Sequence, residues 1–239
     1  MIYSACGSSS NSECMEMREN MKQIKTVIFD LDGTLLDTLE DLKDSVNAAL
    51  LAYGYPERSL EEVRRFVGNG VARLMELAVP EQLSKEKTKE ILDFFKIHYA
   101  ENCNDRTKPY EGVLKLLSHL KNEGYRLAIV SNKFDAAVKE LNQLYFSNLI
   151  EVAVGEREGV RRKPYPDTVN IALKELGCSA EEALYIGDSE VDVETAKHSG
   201  LRLLAVDWGF RTREELIRSG AQIIVEKPED IVEYLNISP

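Results

Sequence analysis

The chain has 239 residues and a formal net charge of −11, enough length for one large domain or two smaller ones with a sizeable core. That acidity argues against general binding to nucleic acid, whose phosphates need a basic face, and no apolar run approaches the roughly 20 residues of a membrane span. Four cysteines, Cys6, Cys14, Cys103 and Cys178, form no CxxC pair, so neither a zinc site nor a disulfide framework is indicated, and a reducing cytoplasm is the expected compartment.

Residues 1–22 are polar, rich in Ser and Asn, and lack the apolar core of a secretory signal. They read as a disordered extension ahead of the first strand. That strand is the apolar run Val27-Ile28-Phe29, which delivers Asp30 and Asp32 and stops at Gly33. A β-branched and aromatic run ended by Asp and Gly reads as a buried parallel strand with its exit loop. Residues two apart on an extended strand share a face, so both acids can reach one ion or one substrate. The competing reading is an ordinary Asp-x-Asp-Gly turn.

Helical patterns follow. Thr38, with Asp41 three residues on, is the expected N-cap of a helix whose apolar face is Leu42, Val46, Ala49 and Leu50. Ser59 with Glu62 repeats the capping signal. Gly68-Asn69-Gly70 interrupts the next pattern, and a charged amphipathic helix runs from about Ser84 to Glu101. From Pro109 onward helices and strands alternate: helix 113–122, strand 126–130, helix 136–144, strand 150–154, helix 167–176, strand 183–186, helix 191–198, strand 202–206, then a helix near 213–219, strand 222–225 and a last helix after Pro228. Alternation of this kind predicts an α/β fold with a doubly wound, mainly parallel, Rossmann-like sheet. The expected organisation is an α/β core over 23–37 and 109–239, with a helical cap over 38–108 inserted after the first strand.

Strand ends carry the chemistry-bearing residues. The first offers Asp30 and Asp32, the second Ser131-Asn132, and the fourth Gly187-Asp188 with Asp192 beyond, while Lys163-Pro164 follows the third. These pieces, DLDGT at 30–34, SN at 131–132, KP at 163–164 and GDSEVD at 187–192, in this order and with a helical insertion after the first, resemble the haloacid dehalogenase-like hydrolase superfamily. DTLEDL at 37–42, FVGNGV at 66–71 and VDWGFRTREEL at 206–216 are similar to its phosphoglycolate phosphatase-like group.

The resemblance implies a phosphomonoester hydrolase with Mg²⁺ as cofactor and a small phosphorylated metabolite as substrate, 2-phosphoglycolate being the first choice. Asp30 would be the nucleophile, since a carboxylate can form an aspartyl-phosphate that water later hydrolyses. Asp32 would be the acid for the leaving group and then the base for water. Ser131 would donate a hydrogen bond to the phosphoryl oxygens, Asn132 would orient the phosphate or the neighbouring loop, and Lys163 would offset phosphate charge and hold Asp30. Asp188, Asp30 and the backbone carbonyl of Asp32 would bind the metal, with Asp192 as a further ligand or a residue behind the ligands. Ser189-x-x-Asp192 is equally a capping box, and both readings of Asp192 stay open. Thr34 reads as a loop-shaping or capping residue, and Glu190 as solvent-facing.

Substrate choice belongs to the insertion, with Gly68, Asn69 and Gly70 as the loop whose glycines allow close backbone approach; a plain helix-breaking turn is the other reading. A β-phosphoglucomutase-like phosphomutase and a pyrophosphatase of the same family are the alternative activities. A receiver-type phosphorylated domain lacks the large insertion, and a haloalkanoate dehalogenase would not need the metal-phosphatase pattern of Asp32 and Asp188. No nucleic-acid or membrane partner is expected, and monomer and homodimer remain equal options.

Overall fold

The computed structural model describes residues 23–235; the extension read over residues 1–22 lies outside them. The described residues fall into two compact units, one running to Leu35 and resuming at Tyr110, the other spanning Leu36–Pro109.

The first unit is built on a six-stranded sheet of order β5-β4-β1-β6-β7-β8 in which every neighbouring pair is parallel. The strands are β1 (Thr26–Phe29), β4 (Arg126–Phe134), β5 (Val152–Glu156), β6 (Ala183–Gly187), β7 (Arg202–Val206) and β8 (Ile224–Val225). β1 and β6 are buried at every position, as expected of central strands covered on both faces. Ile28, Val130, Val154, Val169, Ala172 and Tyr185 belong to one buried cluster on this sheet. The chain leaves β1 for β4 and β5 on one side, then returns to β6, β7 and β8 on the other. Ligands bind beyond the strand ends at such a reversal, and β1 stands there with β4 and β6 as its two neighbours.

The second unit contains four α-helices, α1 (Leu39–Ala52), α2 (Leu60–Phe66), α3 (Gly70–Ala78) and α4 (Lys85–Asn102). Val46, Ala49, Leu50, Val63, Met75, Ala78, Ile91 and Phe95 form its core, each fully buried. Ser59 and Glu62 make the expected capping box, and Ser84 caps α4 through the Lys87 amide. Thr38 departs from expectation. It precedes α1 without a side-chain cap, its backbone at φ −109° and ψ 3° lying outside the extended region a cap takes, and the Asp41 carboxylate that would complete a capping box accepts instead from the Arg106 and Thr107 amides and from Thr107 Oγ1 at 2.8–3.1 Å. A second feature absent from the sequence reading is the antiparallel pair β2 (Leu36–Asp37) and β3 (Lys108–Pro109). Two-residue strands leave no periodic signal.

In the first unit, α5 (Val113–Asn122), α7 (Asp167–Leu176) and β7 occupy the ranges that the apolar spacing predicts. α6 (Asp135–Phe146), α8 (Glu190–Ser199), α9 (Arg213–Arg218) and α10 (Pro228–Tyr234) lie within a few residues of theirs. β4 differs most, since it continues past Val130 to Phe134 with a register shift against β5 between those residues. No helix among the described residues is long and apolar enough to cross a membrane.

Candidate active site

The site stands beyond the carboxyl ends of β1, β4 and β6, all in the first unit. Asp30 follows β1 directly and its amide donates to the Ile186 carbonyl at 2.8 Å, which ties the strand end to β6. Gly33 has φ +91°, a conformation that strains other residues, and a Cβ there would overlap the Asp188 carboxylate. Gly209 is equally constrained, because a Cβ would run into Asp188 and the Gly33 carbonyl. The two glycines let the β1 exit loop and the loop after β7 close around one carboxylate.

Lys163 is the hub of the buried charges. Its Nζ donates to Asp30 Oδ1 at 2.7 Å, to Asp192 Oδ1 at 2.8 Å and to the Tyr185 hydroxyl at 3.1 Å. Its backbone is held by Asn132, whose Oδ1 accepts from the Lys163 amide at 2.8 Å and whose Nδ2 donates to the Lys163 carbonyl at 3.0 Å. Burial works against the ammonium, but Asp192 and then Asp30 outweigh it and hold its proton on well above the ordinary lysine range. Asn132 therefore orients the loop that carries Lys163, one of the two roles expected of it.

Asp188 accepts from Thr34 Oγ1 at 3.1 Å and from the Phe210 amide at 2.7 Å. Burial, with Asp192 adding to it, still pushes its carboxyl up to about 7. Asp30 is also pushed up, chiefly by burial; Lys163 opposes this while Asp192 and Asp188 reinforce it. Oxygens of Asp30, Asp188 and Asp192 lie within 4.8 Å of one another.

These three acids fit a hard divalent cation unequally. Asp192 is fully buried, with Oδ1 engaged by Lys163 and Tyr185 and Oδ2 accepting from the Asp188 and Ser189 amides and Ser189 Oγ. The capping box at Ser189 and the pairing with Lys163 thus occupy both oxygens. Asp30 and Asp188 are left as the carboxylates whose mutual repulsion a cation would relieve, and Mg²⁺ takes one or two carboxylates with water and phosphate oxygens.

Asp32 sits apart from that cluster. Its Oδ1 accepts from Lys133 Nζ at 2.9 Å, and Ser131 Oγ approaches Oδ2 at 3.5 Å. Ser131 is also anchored through the Lys133 amide, which donates to its Oγ at 3.1 Å. Glu190 faces solvent with 41% of its side chain exposed and is also forked by Arg211 at 2.7 and 3.0 Å, and the guanidinium charge favours the ionised form of Asp188. Trp208 Nε1 donates to the Thr34 carbonyl at 3.1 Å, steadying the same loop.

Of the residues expected from sequence, Asp30, Asp32, Ser131, Asn132, Lys163, Asp188 and Asp192 come together here. Gly68, Asn69 and Gly70 belong to the helical unit, where Gly68 and Asn69 lie between α2 and α3 and Gly70 opens α3, with φ of +121° at Gly68 and +77° at Gly70. Lys133, Tyr185 and Arg211 carry no role in the sequence reading. Lys133 adjoins Ser131-Asn132, and a basic residue there was the one available signal. Tyr185 looks like any core aromatic of a strand.

The chain matches the model of the haloacid dehalogenase-like hydrolases over residues 27–206. A phosphoglycolate phosphatase from Mesorhizobium japonicum is 35% identical over 78% of this chain and 84% of its own; one from Aquifex aeolicus is 31% identical over 89% and 97%. An N-acetylmuramic acid 6-phosphate phosphatase from Pseudomonas aeruginosa is 29% identical over 90% and 96%. A crystal structure of a Lactobacillus delbrueckii subsp. bulgaricus protein superposes with a TM-score of 0.85 at 35% identity, covering 88% of this chain and 98% of that one. With the family model spanning most of the chain and the four sequence motifs gathered at one sheet edge, this protein belongs to the haloacid dehalogenase-like hydrolases.

Proposed function

We propose that the chain is a Mg²⁺-dependent phosphomonoester hydrolase working through an aspartyl-phosphate on Asp30, with 2-phosphoglycolate as the first substrate to test. The observation that carries this reading is the pairing of Asp30 with Lys163 at 2.7 Å beside Asp188, with Asp32 two residues away. A carboxylate nucleophile needs its position fixed and its repulsion from an anionic ester offset. Lys163 does the first and shares in the second. Asp30, Asp188 and the Asp32 backbone carbonyl would hold Mg²⁺, which when bound would offset the repulsion of the nucleophile from an anionic ester.

In the first half of the reaction Asp30 attacks phosphorus, and the leaving oxygen takes the bonding pair and a proton from Asp32. In the second half, water gives a proton to Asp32 while its oxygen attacks the phosphorus, and the Asp30 carboxylate is released with inorganic phosphate. Ser131 is the hydroxyl donor for the phosphoryl oxygens. Asp192 acts from behind, by orienting Lys163.

The relatives' names favour two esters, phosphoglycolate and N-acetylmuramic acid 6-phosphate, both of which carry a carboxylate besides the phosphate. Substrate choice is assigned to the helical unit 36–109, with Gly68, Asn69 and Gly70 as the residues to vary. The deciding experiment is a phosphate-release screen with Mg²⁺ over these two esters, sugar phosphates, nucleoside monophosphates and pyrophosphate. Phosphate release from a carboxylated monoester, abolished by EDTA, is expected. Conversion of glucose 1-phosphate to glucose 6-phosphate without phosphate release would replace hydrolysis by the mutase reaction.

A further inference from the structure

Lys133 is among the most deeply buried lysines of the described chain, with 4% of its surface exposed. A buried ammonium is costly unless a carboxylate faces it, and Asp32 does so, its Oδ1 lying 2.9 Å from Lys133 Nζ. Alternation along an extended segment turns Ser131 and Lys133 to one side and Asn132 to the other; Ser131 and Lys133 accordingly reach Asp32, while Asn132 reaches the Lys163 backbone. The two oxygens of Asp32 are thereby made unequal. Oδ1 is held by a full positive charge, whereas among the described residues Oδ2 meets Ser131 Oγ at the long distance of 3.5 Å.

We propose that Lys133 is a positioning residue for proton transfer: its ammonium fixes the Asp32 carboxyl through Oδ1, so that Oδ2 is the oxygen that gives and takes the proton. The inference rests on the proposed phosphomonoesterase reaction. When the ester P–O bond breaks, its electron pair goes to the leaving oxygen, the proton on Oδ2 follows to that oxygen, and the Asp32 carboxylate is left facing Lys133. In the second half, a water proton moves to Oδ2 while the water oxygen bonds to phosphorus and the P–O bond to Asp30 returns its pair to Asp30. Lys133 does not touch the phosphoryl group in either half.

The leaving group provides the test. An alkoxide needs a proton as it departs, whereas 4-nitrophenolate departs without one, so loss of an aligned acid slows only the first. The ratio kcat/KM covers the steps through transfer to Asp30. It should be measured with Mg²⁺ for wild type and Lys133→Met on 2-phosphoglycolate, or the best alkyl ester from the screen, and on 4-nitrophenyl phosphate. The expected result is a loss of about 30-fold or more on the alkyl ester and about threefold or less on the nitrophenyl ester, with Lys133→Arg recovering most of the alkyl-ester rate. Any misfolded fraction lowers both values equally and cancels in their ratio; should Lys133→Met fail to fold, the same ratio is read on Lys133→Gln. Equal losses on both esters, or no loss on either, would overturn the inference and leave the proposed reaction standing. A wild-type chain inactive on every ester would overturn that reaction, and this inference with it.

Discussion

The Asp192 carboxylate lies 2.8 Å from the Lys163 ammonium, and its other oxygen takes three donors from residues 188 and 189. One acid therefore starts α8 and aims the lysine that holds Asp30. A Cβ on Gly187 would collide with that carboxylate, so the glycine preceding Asp188 has a steric reason of its own.

Replacing Asp192 by Asn should destabilise the fold although the shapes match. An amide nitrogen in place of Oδ2 cannot accept from the Asp188 and Ser189 amides, and Lys163 loses one of its two counter-charges. A loss of about 2–4 kcal/mol is expected, read from urea unfolding of the metal-free protein. A change near zero would mean that these bonds contribute little.

Asp30→Asn should leave the fold intact and lower phosphate release by roughly 10³-fold or more, since an amide cannot serve as the nucleophile. It also removes a buried like charge from beside Asp188 and Asp192, so metal-free stability should hold or rise. Phosphate release at the wild-type rate would refute the assignment of Asp30.

Lys163→Met should do the reverse. It strands Asp30 and Asp192 without their shared cation, and breaking such a buried pair costs about 3–5 kcal/mol. Thermal melts of the two variants in one buffer should therefore move in opposite directions from wild type, or leave Asp30→Asn unmoved while Lys163→Met falls.

Metal and proton compete at Asp188. Its carboxyl is pushed up to about 7, first by burial and then by Asp192, against an ordinary value near 3.8. The folded state then binds more protons than the unfolded one between those limits. Its contribution to metal-free stability is present below pH of about 4 and is lost as pH rises through about 7. Mg²⁺ binds the ionised form, so it should raise the melting temperature more at pH 8 than at pH 5. Equal stabilisation at both would separate the ion from this carboxylate.

Gly209→Ala places a methyl group against Asp188 and the immobile Gly33 carbonyl. A cost of about 1–3 kcal/mol is expected from overpacking, together with roughly tenfold weaker Mg²⁺ activation as Asp188 is displaced. Titration of activity against Mg²⁺ concentration reads the second effect independently of the first.

Local pattern alone determined a great deal. Hydrophobic spacing marked α5, α7 and α8 to within a residue or so, because a helix buries one apolar stripe. The order of acids and lysine at successive strand ends led to the site's main members and the family. What tertiary structure alone decided is who pairs with whom. Lys133 and Asp32 are 101 residues apart, and Lys163 and Asp30 are 133; no periodicity encodes such meetings, which follow from strand order. The same limit explains Thr38. Its sequence neighbours spell a capping box, but the backbone at Thr38 is not extended, and the Asp41 carboxylate that would close the box accepts from Arg106 and Thr107 instead, which only the folded chain determines.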